Sequence, residues 1–135
     1  MIDLSPNATA THWAAPWVGR PWSETFNCWH LVQEVQRVVF GRSLADLPIG
    51  AEEDQTAALL NITTRWSRAE WPALDGDILT MLGPDGQHVG VVAANKVLHN
   101  VGGRRDGYLW GSVRLDRVGE LGRMGYGHLK LWRAT

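Results

Sequence analysis

The apolar residues of this chain change their spacing once, and that change constrains the fold more than any other feature. Over 27–40, Cys28, Leu31, Val32, Val35, Val38 and Val39 recur at helical intervals with Gln33, Glu34, Gln36 and Arg37 between them, which predicts an amphipathic helix. Asn27 stands where an N-cap side chain accepts from first-turn N–H groups, and Gly41 where a left-handed residue ends a helix. A second helix is expected over 51–66: Glu52, Glu53 and Asp54 suit the positive end of a helix, and Ala58, Leu59, Ile62 and Trp66 form a stripe. Trp71-Pro72 closes that segment, and from there the pattern becomes short strands.

Strands are expected over 77–82, 88–93, 96–101, 108–115 and 128–133. The segments between them are Gly83-Pro84-Asp85-Gly86, Ala94-Asn95, the Gly102-Gly103 region and 119–127. Helices first and then consecutive strands predict an α+β fold, with N-terminal helices packed on an antiparallel β-sheet. Residues 1–20, with Pro6, Pro16 and Gly19, read as a lead-in loop or short helix, and a length of 135 residues predicts a single domain spanning 1–135.

Charge narrows the range of partners. The formal net charge is −1 and the 13 Lys and Arg residues are scattered, so the sequence carries no footprint for nucleic acid or an anionic membrane surface. No stretch reaches the roughly 18 apolar residues of a membrane helix. The N-terminus, with Asp3 and Asn7 and no basic lead, does not resemble a signal peptide, so the chain is expected to be made in the cytoplasm. A single cysteine excludes an internal disulfide.

Cys28 falls at the first turn of the predicted helix, where backbone N–H groups and the positive dipole end favour a thiolate and can also receive an oxyanion. Placed alone, it reads first as a small core residue continuing the stripe through Leu31 and Val32. The histidines add the chemistry. If Ala94-Asn95 is a two-residue hairpin turn, Ala93 faces Lys96, Gly90 faces His99, and His88 lies diagonal to His99 on one face, roughly 7–8 Å away. A helix-capping cysteine with two such histidines allows a nucleophile, a base and an orienting group: Cys28, His88 and His99. His12, His30 and His128 lack that relation, although His30 is expected at the rim of the cleft. Four of the eight tryptophans, Trp13, Trp17, Trp22 and Trp29, crowd toward Cys28 and suggest either an aromatic core or an aromatic-walled cleft. No zinc site is expected from two histidines and one cysteine without a close ligand pair, and Asp75-Gly76-Asp77 reads as a turn, so no metal or cofactor is predicted.

Five blocks, in order over residues 17–100, resemble the NlpC-type papain-like cysteine peptidases of the bacterial cell wall. They are Val18-Gly19-Arg20-Pro21-Trp22, Asn27-Cys28-Trp29-His30-Leu31-Val32, Gly76-Asp77-Ile78-Leu79, His88-Val89-Gly90-Val91 and Val97-Leu98-His99-Asn100. The phage-tail branch is most similar, through Cys28-Trp29, Val35, Phe40-Gly41 and the terminal run Gly127-His128-Leu129-Lys130-Leu131-Trp132-Arg133. The resemblance implies a minimal papain-like fold with Cys28 as nucleophile, His88 as base and His99 as third polar residue. It also implies cleavage of amide bonds in peptidoglycan stem peptides, next to D-glutamate and diaminopimelate.

Against the family pattern, Asn27 replaces an aspartate, Trp29 and His30 replace a Ser-Gly pair, and Trp22 stands in place of a tyrosine. A bulkier substrate cleft bounded by Trp22, Asn27, Trp29 and His30 is therefore expected. The implied partners are a peptidoglycan peptide and phage tail proteins, with delivery to the wall by a phage particle, lysis or a secretion machine. An inactive structural tail component, or an amidase toxin or acyltransferase using the same triad, is the alternative.

Overall fold

The computed structural model describes residues 13–44 and 66–134. The 27–40 pattern forms helix α1, Cys28–Phe40, which buries Leu31, Val32 and Val35 along one stripe. Asn27 caps its start, and Gly41, at φ 66°, is the left-handed residue that ends it. Among the described residues six strands follow: β1 (Trp66–Ala69), β2 (Ile78–Gly83), β3 (Gly86–Ala93), β4 (Lys96–Arg105), β5 (Tyr108–Arg117) and β6 (Gly127–Ala134). They form one sheet in the order β1-β6-β2-β3-β4-β5, with every pairing antiparallel. The architecture is α+β, and α1 packs on an antiparallel sheet.

Both faces of the sheet are covered. Leu31, Val32 and Val35 of α1 pack with Val89, Val91, Leu98 and Val113 on one side. On the other, Leu79, Met81, Val92, Val97 and Leu131 lie under Leu121, Met124 and Tyr126 of the segment joining β5 to β6. That segment, expected as a loop, contains two short 3-10 turns, Val118–Glu120 and Gly122–Met124. From residue 13 the lead-in segment forms a 3-10 turn, Ala15–Trp17, and then runs along the outer edge of β5, where Gly19 N donates to Val113 O and Trp22 N to Gly111 O.

Two expectations are corrected. Of the helix expected over 51–66, residues 51–65 lie outside the described residues, and Trp66 opens strand β1 against Ala134 at the end of β6. A pairing between segments so far apart in the chain leaves no local mark at Trp66. The Gly102-Gly103 region, expected as a turn, lies inside β4, and the reversal occurs at Asp106-Gly107, both at positive φ (51° and 81°). Gly102 faces Gly111 across the β4–β5 pair, and Trp22 packs over it. These glycines answer close approach between chains rather than chain reversal.

Candidate active site

The β3–β4 hairpin fixes the histidine pair. Ala94 and Asn95, at φ 52° and 64°, make the two-residue left-handed turn that sets Ala93 against Lys96 and Gly90 against His99. His88 is then diagonal to His99, and its Nε2 lies 2.9 Å from His99 Nδ1. Gly90 leaves the room for this, since a Cβ there would meet Val97 Cγ1 at 2.6 Å and His99 Cβ at 3.0 Å. His99 in turn places its Nε2 2.7 Å from Asp116 Oδ2 on β5. Arg114 holds that carboxylate with Nε and Nη2, each at 3.1 Å.

Cys28 is the first residue of α1 and is half-buried. Asn27 Oδ1 accepts from Trp29 N (3.0 Å) and His30 N (3.1 Å), while His30 Nδ1 accepts from Asn27 N (3.1 Å), a reciprocal cap. The cap engages two of the first-turn N–H groups, those of Trp29 and His30, that the sequence offers to an oxyanion.

Cys28 and His88 line one cleft of about 230 Å³, together with Trp22, Asn27, Trp110 and Tyr126. The Tyr126 ring stacks on His88 with centroids 4.7 Å apart and planes 18° from parallel. Asn100 also lines the cleft. Its Nδ2 donates to Phe26 O at 2.7 Å, tying β4 to the approach of α1, while its buried Oδ1 has no donor among the described residues.

The structure therefore brings Cys28, His88, Trp22 and Asn27 to one cleft and sets His99, fully buried, behind His88. Trp29 and His30, expected in the cleft wall, are elsewhere. Trp29 is 5% exposed in the core under α1, three residues before Val32 on the same stripe. His30 closes the cap of α1 and borders a separate hollow beside Gln33, Glu34 and Arg37. Asp116, Tyr126, Asn100 and Trp110 are site residues that sequence reasoning missed. The Asp106-Gly107 pair is a hairpin signal that, once used, sets Asp116 diagonal to His99; Tyr126 and Asn100 carry no comparable signal. Among the described residues no cluster of three His, Cys, Asp or Glu side chains is arranged to hold a metal ion.

Burial decides the electrostatics. Desolvation, with the neighbouring His99, pushes the His88 imidazole down to about 3. Desolvation also lowers His99, outweighing the upward pull of its Asp116 hydrogen bond. Burial raises Asp116, but the hydrogen bonds from Arg114 and His99 prevail and hold it below its usual range. Tyr126 is raised by burial and then by nearby Cys28. Both histidines are thus neutral near pH 7.

This neutrality has a stability signature. Between the ordinary value of 6.5 and about 3, the unfolded chain protonates His88 more readily than the folded one. Its stabilising effect is full above pH 6.5 and is lost as pH falls. One residue contributes a slope of at most about 1.4 kcal/mol per pH unit. Urea unfolding should show a loss of about 1–2 kcal/mol from this residue between pH 7 and pH 5, missing in His88→Ala. An identical loss in wild type and variant would contradict the buried neutral ring.

No family model, curated protein or solved structure matches the chain.

Proposed function

We propose that this chain is a cysteine peptidase with a minimal papain-like, NlpC-type fold, hydrolysing amide bonds of peptidoglycan stem peptides in association with a phage or prophage tail. The observation that carries the reading is the His88 Nε2···His99 Nδ1 contact of 2.9 Å, with His88 in the same cleft as a cysteine at a helix N-terminus. Because Nε2 faces His99, Nδ1 is the His88 nitrogen available to a proton from the cleft.

In the first step His88 takes the Cys28 thiol proton as sulfur attacks the substrate carbonyl. The tetrahedral oxyanion lies against the helix N-terminus, with the Cys28 N–H as donor. The C–N bond then breaks as His88 returns the proton to the leaving amine, giving a thioester and a free amine. Water attacks the thioester, His88 takes and returns one proton, and a carboxylic acid and the thiol are released. Asn100 lines the cleft and, through Nδ2, holds Phe26 O just ahead of the Cys28 helix start. Trp22, Trp110 and Tyr126 give the cleft aromatic walls. The stem-peptide substrate and the tail association rest on the resemblance of the five sequence blocks.

Iodoacetamide tests the assigned nucleophile without a substrate. Cys28 of the native protein should alkylate at pH 7, and His88→Ala should slow this about 10- to 100-fold. A Cys28 that stays inert until the protein is unfolded would favour a structural tail component.

A further inference from the structure

The histidine pair does not end the hydrogen-bond chain. It steps diagonally across three strands, from His88 on β3 to His99 on β4 to Asp116 on β5. A carboxylate can only accept, so the 2.7 Å contact from His99 Nε2 to Asp116 Oδ2 requires the His99 proton on Nε2. A neutral imidazole carries one N–H, so His99 Nδ1 is an acceptor. The group 2.9 Å away, His88 Nε2, must then be the donor. His88 Nδ1 is left with a bare lone pair, the form a base needs.

We infer that Asp116 is a positioning residue that, through His99, fixes the proton of His88 on Nε2 and so keeps Nδ1 open to the substrate cleft. The inference rests on the reading of His88 as the base but reaches a residue that reading does not include. The His99 side chain is fully buried and the Asp116 side chain is 14% exposed, so water competes little for the contact. The two-pronged Arg114 contact fixes the carboxylate's orientation and keeps it ionised. Asp116 is not among the residues lining the cleft and reaches His88 through His99.

The test is 15N NMR of imidazole-labelled protein near pH 7.5, which reports the tautomer of each ring whether or not a substrate is known. The wild type should show both His88 and His99 protonated on Nε2. Asp116→Ala should show mixed tautomers at both rings and a loss of about 10- to 100-fold in kcat/KM for a stem peptide. Arg114→Ala, which retains the carboxylate, should keep both tautomers. A wild-type His88 with its proton on Nδ1, or Asp116→Ala tautomers identical to wild type, would overturn the inference. Should Asp116→Ala fail to fold, the wild-type spectrum alone still decides. Expected tautomers without stem-peptide cleavage would retain the relay and remove the proposed substrate; cleavage with unexpected tautomers would do the reverse.

Discussion

His88→Ala should lower kcat/KM for a stem-peptide substrate by about 10²- to 10⁴-fold while leaving far-UV circular dichroism unchanged. The range is that of a positioned general base. Among the described residues the variant removes the one imidazole that lines the cleft with Cys28, and neither Tyr126, whose phenol is raised further from neutrality, nor Asn100 can take a proton in its place. His99→Ala should cost less and leave partial activity, because His88 keeps its place against Tyr126 and loses only the partner that fixes its tautomer. Steady-state kinetics on both variants checks the order. Full activity in His88→Ala would rule out its role as base.

Gly111→Ala should destabilise the fold by about 2–5 kcal/mol, the sum of a side chain at a left-handed backbone position and an overpacked contact. Gly111 sits at φ 92°, and a Cβ there would lie 2.0 Å from Val101 O and 2.4 Å from Gly102 Cα, both backbone atoms of the paired strand. No rotamer change relieves that contact, so β4 and β5 must separate. Trp22 N donates to Gly111 O and Trp110 precedes it, so two walls of the cleft move with the strand. Chemical denaturation of the variant gives the magnitude; a loss under about 1 kcal/mol would mean that the strand pair yields more easily than a backbone clash allows.

Much of the site is legible because two local signals carry it. The helical spacing after Asn27 sets Cys28 at a helix start, and a two-residue turn at Ala94-Asn95 fixes a register from which the His88–His99 diagonal follows. The same reasoning at Asp106-Gly107 leads to Asp116, but Gly102-Gly103 is the more conspicuous glycine pair and obscures the true turn. Trp29 reads as a cleft residue from its nearness to Cys28 in sequence, yet one step along a helix turns a side chain about 100° away, here into the core. His30 likewise serves the helix end rather than the cleft. Tyr126 arrives from an irregular segment nearly a hundred residues from Cys28, and β1 from a pairing with the C-terminal strand; only tertiary packing brings either into place.

Digestion of purified peptidoglycan stem peptides, followed by mass spectrometry of the products, tests the proposed peptidase most directly when wild type and Cys28→Ala are compared. A single amide cut present with the wild type and absent with Cys28→Ala is the predicted result. The same cut with both proteins, or none with the wild type, would contradict it.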